Sequence, residues 1–261
     1  MLPEETPSQP ELIPVVEPPI AEYPPPQLPP VQKPARDPFW NYADLGLVLG
    51  MMVAAMALIV LGAAAAAIIW PNLRVDQTPL ILPTNLAMYF FLLLILKLDF
   101  STRYGRPVLP SLGWRVTNAA TLGFAVLAGI ALPFIVSAIG DLLHTPKVTT
   151  PMDKIPNSIP LSIMAVVLAP FFEELFFRGF LQPLFVRSFG VIFGVFITGV
   201  LFGGVHAVEY SFIWQYVVAI SVVGWALGAV RVWTNSIVPT AIMHACFNGL
   251  QVVAFAVSKH Q

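Results

Sequence analysis

The sequence predicts an all-α fold, a polytopic transmembrane bundle of about seven helices, and three observations predict it. Its 261 residues are 57% hydrophobic and only 10% charged, where an average soluble domain carries about 25% charged residues. The mean hydropathy is +0.79. The apolar residues also gather into runs long enough to cross a hydrocarbon core of about 30 Å at 1.5 Å per residue, and short polar or proline-bearing segments separate them. The lipid bilayer is therefore the first partner expected. A net charge of -1 excludes a nucleic-acid surface built on basic charge. Cys246, the single cysteine, cannot close an internal disulfide.

Residues 1–38 are rich in proline (Pro18-Pro19, Pro24-Pro25-Pro26, Pro29-Pro30) and acidic (Glu4, Glu5, Glu11, Glu17, Glu22, Asp37). That composition predicts a disordered, partly polyproline-II tail. Its plain reading is a solvated tether and its functional one an arm for a proline-recognising partner. No cleavable signal peptide is expected, because the first apolar run starts only after this tail and is longer than the 7–15 residues or so of a signal core.

Helix one is predicted over Leu45 to Trp70, with Trp40, Tyr42 and Trp70 as aromatic anchors at the interfaces. Helix two spans Leu80 to Leu98 and ends on Lys97 and Asp99, read as snorkelling interfacial charges. Helix three follows Arg115 and runs to Ile139, and the proline-bearing segment Asp141 to Pro156 is a loop. Helix four covers Ile159 to Val186, with Pro170 as a kink. Helices five (Val191 to His206), six (Phe212 to Arg231) and seven (Ile237 to Val257) complete the set. Gly199 with Gly203, and Gly224 with Gly228, have the spacing that lets helices pack backbone to backbone.

Seven spans place Lys33, Arg36, Lys97, Arg103, Arg106, Arg115, Arg187 and Arg231 on the side of the N-terminus, against Arg74, Lys147, Lys154 and Lys259 on the other. Cytoplasmic loops carry the excess of Lys and Arg, so a cytoplasmic N-terminus is expected.

Helix four holds the stretch that most needs a reason: Pro170-Phe171-Phe172-Glu173-Glu174-Leu175-Phe176-Phe177-Arg178. An ionisable group at the centre of a spanning helix costs about 2.5–3.5 kcal/mol on insertion scales, so these charges must pair, bind or react. Glu174 and Arg178 share a helix face and can form an ion pair, whereas Glu173 points about 100° away. That frees Glu173 to act as a general base in a water-poor cavity. Two further pairs have the same spacing, Phe202 with His206 and His244 with Asn248. Alone, each is more simply an interfacial histidine or interhelical glue. Together, a carboxylate, two imidazoles and an amide are the parts that activate water and stabilise an oxyanion, the chemistry of peptide hydrolysis.

The ordered runs Glu173-Glu174-x-x-x-Arg178, Phe202-x-x-x-His206 and His244-x-x-x-Asn248, with Phe177, Gly179 and the Ile237-Val238-Pro239 lead-in, resemble the CPBP family of intramembrane proteases. That family includes the CAAX prenyl endopeptidases and the bacteriocin-processing or immunity proteins. The resemblance covers residues 158–257, the expected protease core, and leaves the tail and the helices of 39–157 unmatched. It implies that Glu173 and His206 activate the attacking water and that His244 and Asn248 stabilise the oxyanion. Glu174 and Arg178 shape the site. The substrate implied is a membrane-associated peptide or protein, prenylated in the CAAX case, and the expected location is the plasma membrane of a bacterium.

Metal use stays open at this level: Glu173, His206 and His244 could supply three ligands to Zn2+ or act without any metal. Two rivals also stand, a catalytically inactive immunity or scaffold protein that keeps the polar cluster as glue, and a transporter that uses it as a proton relay. A Cys246–His244 nucleophile is not expected, since two residues along a helix face nearly opposite ways.

Overall fold

A computed structural model describes residues 37–69, 78–146 and 159–258, and among them every regular element is helical. Helix α1 is Tyr42–Ile69, α2 is Thr78–Tyr104, α3 is the single turn Val108–Ser111 and α4 is Ala119–Leu142. A continuous helical segment then runs over 159–208, and its backbone breaks at Gly190 (φ 80, ψ 169). The arm before the break is α5 (159–189) and the arm after it α6 (191–205). Helices α7 (Trp214–Thr234) and α8 (Val238–Ser258) follow. Six helices are long and apolar enough to cross a membrane when 159–208 counts as one. Only glycine takes the Gly190 conformation readily, so the break that makes two arms of that segment is fixed by one residue.

The core lies between helices and the outside is apolar. Leu58 is 70% exposed, Ile68 80% and Ile192 81%, which suits a surface facing acyl chains, where backbone polar groups must be satisfied within helices. This is an integral membrane protein. The starts of α1, α4, α6 and α8 share one end of the bundle with the ends of α2, α5 and α7. Contacts there include Tyr42 Oη donating to Ser188 Oγ at 2.8 Å and the Ile237 N–H donating to the Gly113 carbonyl at 3.0 Å.

Several expectations from the sequence are corrected. Trp40 is not an interfacial anchor: it is 2% exposed, stacks on Phe180 and donates its indole N–H to the Phe180 carbonyl at 3.0 Å. Asp99 does not snorkel. It is 4% exposed and shares the Arg103 guanidinium with the buried Asp44. Asp44 also closes a reciprocal cap at the start of α1, accepting from the Asn41 N–H at 2.7 Å while Asn41 Oδ1 accepts from the Ala43 N–H at 2.7 Å. Helix α2 extends past Leu98 to Tyr104, whose hydroxyl donates to Asp44 Oδ2 at 2.6 Å and ties the exposed last turn to the start of α1. Helix α4 reaches Leu142, into the segment expected to be loop. Asp37 and Pro38 leave the expected tail, since Pro38 is buried and its carbonyl accepts from Arg187. The rest of the tail lies outside the described residues.

Helices α6 and α7 pack backbone to backbone where the glycine spacing predicts it. A Cβ on Gly224 would stand 2.8 Å from Gly199 Cα, and one on Gly199 would stand 2.0 Å from the Trp225 ring. This close approach draws the end of α6, with His206, in beside α5 and α8.

Candidate active site

Helix α5 widens twice. Met164–Leu168 and Leu175–Leu181 are π-helical and flank the α-helical Ala169–Glu174. In the first, the Ala169 N–H bonds the Met164 carbonyl, five residues back; in the second, the Gln182 N–H bonds Phe177 in the same way. Continuing that register by one residue would need N–H groups at Pro170 and Pro183, and proline has none. Each proline therefore orphans one carbonyl, Ala165 and Arg178 respectively. Side chains from distant helices satisfy both: Asn248 Nδ2 donates to the Ala165 carbonyl at 2.8 Å, and Arg231 Nε to the Arg178 carbonyl at 3.1 Å. The kink expected at Pro170 is thus a pair of π-turns, a feature frequent at functional sites.

Between these turns stand the two glutamates, with separate surroundings. Glu174 and Arg178 are fully buried, and Arg178 Nη1 donates to Glu174 Oε1 at 2.8 Å while Nη2 donates to the Gly224 carbonyl at 3.0 Å. The guanidinium also lies 4.3 Å from the Phe202 ring centroid. His244, 3% exposed, places Nδ1 3.1 Å from the same Glu174 oxygen. Thr240, buried one turn before His244, sits beside this carboxylate as well.

Among the described residues, Glu173 has no hydrogen-bond partner at Oε2. Its side chain is 24% exposed, and its buried Oε2 lies 3.9 Å from His206 Nε2 and 3.9 Å from His244 Nε2. That separation is too long for a hydrogen bond and is one that a single water spans. Tautomers follow from the other ring nitrogens. His206 Nδ1 lies 2.7 Å from the Phe202 carbonyl, an acceptor, and His244 Nδ1 faces a carboxylate oxygen, so both Nδ1 atoms carry hydrogens. Both Nε2 atoms therefore face the Glu173 carboxylate, as lone pairs when the rings are neutral. The site is a spot ringed by three acceptors, which a water's two protons and one further proton can satisfy. Phe202, 1% exposed, fixes both rings, with centroids 4.8 Å from His206 and 5.6 Å from His244.

Five of the six residues singled out in the sequence, Glu173, Glu174, Arg178, His206 and His244, thus come together on α5, α8 and the end of α6. Asn248 joins through the α5 backbone, one turn along α8 from His244. Cys246 faces away, toward Gly129 of α4. Tyr89 of α2 is a neighbour that sequence reasoning missed. Its ring stacks on Phe172 at 4.4 Å and 5°, next to Glu173 in the chain. Nothing in an apolar run such as α2 distinguishes one tyrosine from a packing aromatic.

The Nδ1 partners of both imidazoles are of the kind that metal-bound histidines also have, so the test for a metal is separation. Tetrahedral Zn2+ at about 2.0–2.1 Å from its ligands sets them roughly 3.4 Å apart. The 3.9 Å gaps are wider. Among the described residues no group of three or more His, Cys, Asp or Glu side chains is arranged to hold an ion. As placed, Glu173, His206 and His244 do not fit a metal.

Comparison with known proteins bears on this part of the chain. No curated protein and no solved structure matches it. Residues 155–250, however, match the family model described as type II CAAX prenyl endopeptidase Rce1-like, a family of membrane peptidases. The match spans both carboxylates, Arg178, both imidazoles and Asn248, so over this segment the chain is similar to that family.

Proposed function

We propose that this protein is an intramembrane endopeptidase that hydrolyses a peptide bond of a membrane-associated substrate, with a prenylated, CAAX-type chain end as the leading substrate class. The observation that carries the reading is Glu173 Oε2, 3.9 Å from the Nε2 atoms of both His206 and His244, a gap that one water spans.

In the proposed reaction, a water in that gap donates one proton to Glu173 and is oriented by His206. As its oxygen bonds the scissile carbonyl carbon, Glu173 takes the proton as general base. The oxyanion formed accepts from His244 Nε2–H and from the second N–H of the Asn248 amide. His244 can donate there only as an imidazolium, because its Nδ1–H is committed to Glu174. The buried Glu174 carboxylate, held by Arg178, stabilises that cation where it sits. Collapse of the tetrahedral intermediate breaks the C–N bond, and the Glu173 carboxylic acid returns its proton to the leaving amine. No step passes through a metal.

The protease core corresponds to residues 158–257, and the end of the bundle holding the start of α1 faces the cytoplasm of a bacterial plasma membrane. Arg103, Arg106, Arg115, Arg187 and Arg231 all lie at that end, in keeping with the positive-inside rule. The test is purified protein in detergent against prenylated and unprenylated C-terminal cysteine peptides, with products identified by mass. Cleavage that needs the prenyl group and disappears in Glu173→Gln supports the reading. A folded protein that cuts neither class leaves the inert scaffold in its place.

A further inference from the structure

At the end of the bundle away from His206, a cavity of about 300 Å³ opens between the start of α1, the α3–α4 connection, the α5–α6 break and the end of α7. This is at the small end of ligand pockets, and its chemistry is one-sided. Arg115, Arg187 and Arg231 line it, with Asp37 as the one lining carboxylate. No carboxylate among the described residues lies within ion-pair distance of any of these arginines, whereas Arg103 at the same end is paired twice.

Two of the three guanidiniums are held in place by neutral groups. Arg187 Nη1 donates to the carbonyls of Pro38 and Trp40, and Arg231 donates through Nε to the Arg178 carbonyl and through Nη1 to Asn235 Oδ1. Asp37 acts on Arg231 only from beyond ion-pair distance, one carboxylate faces three cations, and N–H groups remain to donate. Gly113 leaves the necessary room, since a Cβ there would stand 2.8 Å from Arg231 Nη2. Arg115 is exposed and completes the positive wall.

The rest of the wall is apolar and continues onto the outer face of the bundle. Val191 and Val232 line the cavity and are 49% and 42% exposed, and beside them Ile192, Phe193 and Trp233 are 81%, 63% and 62% exposed. A ligand that fits both parts has an anionic head and hydrocarbon tails. We infer that this cavity binds the phosphate headgroup of an anionic glycerophospholipid, with the acyl chains lying along the exposed faces of α6 and α7. Basic pockets between spanning helices are suited to such headgroups. The inference is independent of whether the chain is a peptidase.

Phosphate is the shared chemistry of a lipid headgroup and a free ion, so the test separates them. Full-length protein in detergent is titrated with phosphatidylglycerol, phosphatidylcholine or inorganic phosphate, and bound ligand is counted by native mass spectrometry. Phosphatidylglycerol should be retained and phosphatidylcholine not, and millimolar inorganic phosphate should not displace it. Arg115→Gln should weaken phosphatidylglycerol binding about fivefold, as expected for one surface cation, and Arg115→Glu should weaken it further, both at unchanged thermal stability. Arg106→Gln, at the same end but outside the cavity, should have no effect. Equal binding of the two lipids, equal losses in the Arg106 and Arg115 variants, or displacement by inorganic phosphate would each overturn the inference.

Discussion

The Asn248 side-chain amide donates to the backbone carbonyl of Ala165 at 2.8 Å, across 83 residues of sequence. That carbonyl is free because the π-turn before it ends on Pro170, which has no N–H to give. Removing the amide in Asn248→Ala leaves a part-buried acceptor unsatisfied, which costs about 1 kcal/mol, the low end for such a group. Pro170→Ala restores a donor in the correct register. The double variant Pro170→Ala/Asn248→Ala should therefore recover most of the thermal stability that Asn248→Ala loses, measured in the same detergent. Peptide hydrolysis should stay lost in the double variant, since the proposed oxyanion contact is not rebuilt.

Glu173 and Glu174 are adjacent in sequence and should behave oppositely on neutralisation. Glu174→Gln strands the fully buried Arg178, and breaking a buried ion pair costs about 3–5 kcal/mol. Glu173 makes no direct hydrogen bond through its buried Oε2, so Glu173→Gln should shift stability by less than about 1 kcal/mol. Its hydrolytic rate should fall roughly 100- to 10,000-fold, the range for loss of a general base. Denaturation midpoints beside peptide cleavage rates check both. Equal destabilisation of the two variants would contradict the division of labour.

The pairing of Glu174 with Arg178 was legible in the sequence because spacing on a helix converts directly into a shared face. The spacing of Gly199 with Gly203 and of Gly224 with Gly228 was legible as a surface for close packing, but that it joins α6 to α7 was not. The widened turns were not legible: helical periodicity assumes one register, and a π-turn shifts it by a residue. Pro170 and Pro183 were visible as helix breakers, but their consequence, two orphaned carbonyls met by Asn248 and Arg231, depends on partners far along the chain. Trp40 and Asp99 were misread for a related reason. An amphipathic residue at a helix end suits the interface equally well on sequence alone, and only packing shows that Phe180 and Arg103 bury them.

Hydrolysis should survive metal removal. Glu173 Oε2 stands 3.9 Å from the Nε2 atom of each imidazole, wider than a tetrahedral Zn2+ sets its ligands. Protein treated with a strong chelator, then freed of it by gel filtration, should cleave peptide at the untreated rate and carry no stoichiometric metal by elemental analysis. Activity that is lost to chelation and restored by Zn2+ alone would show that the trio closes around an ion.

Tyr89 lies outside the family match and reaches the site through Phe172, against which its ring stacks at 4.4 Å and 5°. Such a pair contributes about 0.5–1.5 kcal/mol beyond the area it buries, and here it braces the turn from which Glu173 projects. Tyr89→Phe keeps the stack and should cleave at close to the wild-type rate. Tyr89→Ala removes it, and the freed Phe172 lets the Glu173 carboxylate drift from the two imidazoles, a misplacement that should lower kcat by about 10-fold with KM little changed. If instead Tyr89→Phe alone lowers kcat, the hydroxyl acts on Glu173 directly and the stack is not what matters.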